Sequence, residues 1–381
     1  MIFKNATIHT MNDSNDVICN GYIEIDGKTI SKVGSDWRGD GIDLNGADMY
    51  PGFIDAHSHI GLFTSGVGVE GEDFNEDSDP VTPQLDTADA IYPLDSSFFD
   101  GISAGVTTSV VSPGSTNTIA GRISAVKMSG NRIDDMLIKT VGMKFSLGEN
   151  PKMTYLDKDS APVTRMAIAA LIREALTKAK RYLEQKQKAE SIDDEPEYDA
   201  KSEALIPLLK KEIKAHFHCH RADDIFTALR ISKEFDLDCV LIHCTEGYLI
   251  ADALKQVSAE CVVGPLLCDR SKPELANLSE NNPAVLSSNG IKTAICTDHS
   301  EVPVQYLPIS VGIAIKNGMS FENGLKSVTS EAAKIAGIYE RVGSLEVGKD
   351  ADLAVFDSNP FEVMSSPLMV VVDGRIVYER N

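Results

Sequence analysis

Six strand-like apolar runs, spaced by helical stretches, set the strongest limit on how residues 106–298 can fold. The runs are VTTSVVS (106–112), TVGMKFSL (140–147), IKAHFHCH (213–220), DCVLIHC (238–244), ECVVGPLLC (260–268) and KTAICTD (292–298). Between them, DDIFTALRISKEF (223–235) and GYLIADALKQVS (247–258) carry an amphipathic helical pattern. Strand and helix in alternation predict a parallel α/β architecture, because parallel neighbours need a crossover between them. The length suits a TIM-type barrel with insertions, and periodicity alone also fits an open doubly wound sheet.

The two ends read differently. MIFKNATIHTM, GYIEIDGKTISKVG and GADMYPGFID are short apolar runs broken by turn residues, and the tail repeats the style in GSLEVGKDADLAVFDSNP and LMVVVDGRIVYE. Asp26-Gly27 and Asp373-Gly374 are hairpin signals. Residues 1–50 and 345–381 are therefore expected to pair into one small β domain, with the barrel over 51–344. KAKRYLEQKQKAESIDDEPEYDAKSEA (178–204) is charged and poor in large apolar residues. It reads as an exposed helix end, a loop and a new helix start.

Composition narrows the partners. With 36 basic and 57 acidic side chains the net charge is −21, which disfavours nucleic acid as a ligand. No apolar run approaches the roughly 20 residues that span a bilayer, and the first residues show no signal peptide. The seven cysteines are odd in number and form no C-x-x-C pair, so reduced thiols in a cytoplasmic protein are expected. That leaves a small-molecule substrate as the expected partner, with homo-oligomerisation open.

The chemistry concentrates at strand ends. In YPGFIDAHSHIG (50–61) an apolar strand ends in His57-x-His59, which places two imidazoles on one face. HFHCHR (216–221) sets His216, His218 and His220 at alternate positions. His243 closes the next run, Asp298 the last, and Lys144 lies in TVGMKFSL. Barrel active sites form at the C-terminal ends of the strands. Four imidazoles and a carboxylate suit zinc or a similar divalent ion.

PGFIDAHSHIG, the strand-end His243 and TDHS (297–300) resemble the metal-dependent amidohydrolase superfamily, in the branch of imidazolonepropionases and prolidase-like dipeptidases. GSLEVGKDADLAVFD is similar to the family's returning β-sandwich segment, so the resemblance covers nearly the whole chain. It implies a distorted (β/α)8 barrel with a small β-sandwich built by both termini. It also implies His57 and His59 as ligands of one metal ion, His218 and His243 as ligands of a second, and Asp298 as metal ligand and catalytic proton carrier. Lys144 falls on the position of a carboxylated lysine bridging two ions, a residue that one-metal deaminases of this fold lack. The implied activity is hydrolysis of an amide, dipeptide, N-acyl amino acid or cyclic amide, with ring deamination as the alternative and a non-catalytic homologue ranked last. Within HFHCHR, His218 aligns with the ligand, His216 would lie one layer deeper, and His220 would stand near substrate. A two-residue slip in register would exchange His218 and His220.

Three further features carry expectations. Arg221 could pair with a substrate carboxylate or form a structural ion pair. SPGSTNTIAGR (112–122) reads as a Gly/Ser turn, from which Arg122 could meet an anion. The glycine-rich stretch 61–80 suits a movable lid.

Overall fold

The structure is a computed structural model that describes residues 1–64 and 66–380. Eight strands form the central sheet: β1 (Phe53–Ser58), β2 (Val106–Val111), β3 (Ile119–Lys127), β4 (Leu137–Ser146), β5 (Lys214–Cys219), β6 (Cys239–His243), β7 (Glu260–Val263) and β8 (Lys292–Ile295). They lie side by side in chain order. β4 to β8 are parallel in sequence, as are β1 and β2. The ring is closed at the C-terminal mouth, where Asp298 N–H donates to His57 O at 3.1 Å and His59 N–H to His299 O at 2.7 Å.

β3 departs from the expected turn over 112–122. Only residues 112–118 turn, and Ile119 begins a strand antiparallel to both β2 and β4. Gly121, Arg122 and Ser124 interrupt its apolar pattern, so no continuous run marks it in the sequence. The barrel is therefore distorted, with one reversed strand among parallel ones.

Two layers of apolar side chains hold the barrel. Phe145, Phe217, Leu241, Val263 and Ile295 pack with helical residues such as Ile172, Leu176, Ile225 and Ile231. Ile54, Val110, Ile123, Val240, Ile242, Val262 and Ala294 form the other layer, against Ile335 and Ile338. Helix Arg165–Lys188 starts at Thr164, whose side chain accepts from Ala167 N–H as a cap.

The termini meet in a second eight-stranded sheet. Asp48–Pro51 joins its halves, pairing parallel with Ile2–His9 and antiparallel with Leu353–Phe356. Asp373 and Gly374 both hold positive φ, 49° and 70°, as a two-residue hairpin turn requires. Lys127, at the end of β3 and 3% exposed in its side chain, ties this sheet to the barrel. Its Nζ lies 2.8, 2.5 and 3.2 Å from carboxylates of Asp350, Asp352 and Asp373. Lys127→Met should cost about 3–5 kcal/mol, because it leaves buried Asp352 without its cation, whereas Asp350 and Asp373 keep Arg341 and Lys28. Urea unfolding of the purified variant measures this, and a loss below 1 kcal/mol would refute it.

Candidate active site

The barrel mouth opens into a cavity of about 300 Å³ lined by His59, Phe74, Ser115, His218, His220 and Asp298, among others. A larger hollow, about 700 Å³, lies between helix Arg165–Lys188 and residues 196–199 and contains none of the imidazoles.

The structure brings His57, His59, Lys144, His218, His243 and Asp298 together at this mouth. Two groups of donor atoms form within it, His57 with His59 and Asp298, and His218 with His220 and His243; the donors of each lie within 4.8 Å of one another. In the first group, Asp298 Oδ1 is 3.4 Å from His57 Nε2 and 3.3 Å from His59 Nε2. Ligands about 2.0–2.1 Å from a tetrahedral zinc are spaced roughly 3.3–3.4 Å apart, so these atoms fit one shared ion.

Backbone carbonyls set the tautomers. His59 Nδ1–H donates to Ser112 O and His243 Nδ1–H to Gly264 O, each at 2.7 Å. Both Nε2 atoms therefore keep a lone pair for the cavity, the usual support of a metal-binding imidazole. Among the described residues, His218 Nε2 and His220 Nε2 are buried and make no hydrogen bond. Donor atoms left bare in a buried cluster of this kind fit a cation better than packing.

Backbone geometry aims two of these side chains. Leu241 and Ile242 point to opposite layers, so simple alternation would send His243 outward with Leu241. Instead His243 holds φ at 69°, which turns its Cα–Cβ bond away from the pleat. Asp298 also holds a left-handed φ, 54°. Such backbone costs of order 1–3 kcal/mol in a residue other than glycine and concentrates at functional sites.

Lys144 is fully buried, and its Nζ is 3.4 Å from His57 Nε2. Burial lowers its pKa to about 8. Burial also holds the His57, His218 and His220 imidazoles well below their usual pKa, so they are neutral donors. His216 is the register partner of Lys144 and lies beside Gly142, where any Cβ would stand 2.6 Å from its ring. Neither of its nitrogens has a hydrogen-bond partner among the described residues.

The two arginines are not brought to the cavity. Arg122 lies 3.5 Å from Asp86, and Arg221 makes a two-point pair with Asp223 at 3.0 Å. Of the stretch 61–80, Phe74 and Asn75 reach the cavity wall. Other groups at the site had no marker in the sequence. Asp55 binds Thr297 through its backbone N–H at 3.1 Å and through its hydroxyl, which fixes the segment carrying Asp298. Ser115 and Thr245 bond Nδ1 of His218 and His220 at 2.9 and 2.7 Å. Glu274 and Lys272 come from the loop after β7. Asp55 and Ser115 lay within quoted stretches; Thr245, Lys272 and Glu274 sit in loops without any repeated spacing.

Comparison with known proteins places the chain among relatives. Residues 49–377 match the sequence profile described as "Amidohydrolase family". The solved structure of an amidohydrolase from Thermotoga maritima MSB8 is 38% identical and superposes with a TM-score of 0.95 over 100% of both chains. "Amidohydrolase tasK" of Hapsidospora irregularis is 26% identical over 88% of this chain, which spans only 37% of that relative's length. A 5-methylthioadenosine/S-adenosylhomocysteine deaminase of Bacillus cereus is 24% identical over 98% of this chain and 90% of its own.

Proposed function

The chain belongs to the amidohydrolase family, and from that premise we propose that it uses two divalent metal ions, zinc foremost, to hydrolyse a C–N bond. The substrate class is an amide, a dipeptide or N-acyl amino acid, or a cyclic amide. The observation that carries this reading is a fully buried lysine amine, Lys144, 3.4 Å from His57 Nε2, in a cluster with Asp298 and four other imidazoles.

His57 and His59 would hold one ion with Asp298, and His218 and His243 the other. When bound, the ions supply Lewis-acid activation of water and of the scissile carbonyl. Lys144 has a pKa lowered to about 8 by burial, so a useful fraction is neutral amine at pH 7–8. That amine can add to carbon dioxide, forming an N–C bond and releasing a proton, and so become a carbamate anion placed to bridge the two groups. The Asp298 carboxylate accepts the proton of the attacking water and later gives it to the leaving nitrogen. Phe74, Pro265 and Leu275 form the apolar part of the cavity wall. The seven free thiols support a reducing, cytoplasmic setting. Among the described residues no helix is long and apolar enough to cross a membrane.

Similarity to the Bacillus deaminase over nearly the whole chain favours a second reading, removal of an amino group from a ring. One screen separates the two. Chelator-stripped protein, before and after reloading with zinc, is offered N-acyl amino acids, dipeptides, cyclic amides and aminated heterocycles, and amine or ammonia release is followed. Amide cleavage that vanishes on stripping and returns on reloading is the expected result. Ammonia from a heterocycle alone would establish the deaminase reading, and cleavage indifferent to metal would sink both.

A further inference from the structure

Glu274 lies in a short 3-10 turn, Pro273–Leu275, after β7, and is 2% exposed. Its Oε2 accepts the Glu149 backbone N–H at 3.0 Å. Gly148 makes room for that oxygen: φ is 86° there, and a Cβ would stand 2.7 Å from it. The other oxygen, Oε1, is turned toward the imidazoles, 3.5 Å from His220 Nε2 and 3.7 Å from His218 Nε2. Lys272 Nζ approaches the same oxygen at 2.8 Å and is also bonded to Asn150 at 3.0 Å.

These separations pose an electrostatic problem. His220 Nδ1 and His218 Nδ1 are bonded to Thr245 and Ser115, and when each hydroxyl takes the Nδ1 proton, both Nε2 lone pairs face an anionic oxygen. A hydroxyl that donates instead would make Nε2–H a donor, but 3.5 and 3.7 Å are too long for hydrogen bonds. Ligands sharing a tetrahedral zinc are about 3.3–3.5 Å apart, a spacing that His220 meets and His218 exceeds by about 0.2 Å. The spacing therefore suits a positive charge between the groups better than direct contact.

We propose that Glu274 and His220 join His218 and His243 as protein ligands of the second ion. The donor set is then three imidazoles and one carboxylate, which fills a tetrahedral zinc, so water or the Lys144 carbamate would enter as a fifth ligand. Lys272 is the stand-in cation, neutralising Glu274 until a metal displaces it. The proposal rests on the two-metal reading above but departs from the ligand set that the family resemblance implies, in which strand β5 supplies one imidazole and no glutamate follows β7.

The two members of the Glu274–Lys272 pair should act in opposite directions, which a merely structural salt bridge would not do. Full-length protein is stripped with chelator and titrated with Co²⁺, following the d–d absorption band and metal content after desalting. Wild type should take up two ions. Glu274→Gln should weaken one of the two steps by at least about 10-fold and diminish its absorption band. Lys272→Met should tighten the same step and enlarge the rise in Tm that cobalt produces. If Glu274→Gln does not fold, Lys272→Met decides alone, and unchanged or weaker binding by it overturns the proposal. A Glu274→Gln protein with wild-type affinity and spectrum for both ions overturns it too, leaving the two-metal reading standing. Failure of wild type itself to bind cobalt would remove both.

Discussion

Asp298→Asn should lower kcat by about 10²–10⁴-fold while leaving the bound metal and the fold in place. The side chains are nearly isosteric, and asparagine shares with aspartate an unusual tolerance for the left-handed backbone found at φ 54°. The backbone N–H of residue 298 still donates to His57 O at 3.1 Å, and Asp55 still holds Thr297. His57 and His59 remain to grip the first ion. What disappears is an anionic oxygen able to take a proton from water and deliver it to a leaving nitrogen. Metal analysis and kcat on the same sample check the point. Undiminished turnover by a variant with full metal content would remove Asp298 from the proton path.

Acid should destabilise the metal-stripped protein far more than surface carboxylates alone could explain. Burial lowers His216 to about 3, and His243 and His299 to about 4. A base whose folded pKa lies below its unfolded value of about 6.5 binds fewer protons when folded. Stability is then complete above pH 6.5 and drains away as pH falls toward the folded values. At pH 5 each of the three contributes a loss of about 2 kcal/mol, or about 6 together, against a total of only 5–15 for a typical domain. Urea melts between pH 8 and 5 should show stability falling with acid by a slope of several protons. His57, His218 and His220 are also held low by burial and add to these three, while the raised carboxyls of Asp55 and Asp224 offset part of the slope. His216→Leu should remove one proton from it, since it replaces an imidazole with no hydrogen-bond partner among the described residues. Stability unchanged between pH 7 and pH 5 would show that these imidazoles are not held neutral by burial.

Much of the fold was legible along the chain. The six apolar runs all became barrel strands, because a strand covered on both faces must be apolar almost throughout. β3 was hidden because Gly121, Arg122 and Ser124 break its pattern, and its antiparallel pairing needs no crossover helix. The Asp-Gly signal at 373–374 marked a hairpin because left-handed φ favours those residue types.

The sequence by itself determined which side chains were available: an H-x-H pair, a triplet of alternate histidines, a strand lysine and an aspartate beyond the last strand. Those follow from local periodicity and residue chemistry. Only the tertiary structure decided that His243 turns inward against the pleat, that Arg122 and Arg221 are engaged elsewhere, and that Glu274 faces His218 and His220 from 54 residues beyond the latter. Such contacts are long-range, and no spacing along a chain encodes them. They arise when ring closure brings loop residues to strand ends, and the barrel can hold backbone and charge there in arrangements that a short segment alone would not adopt.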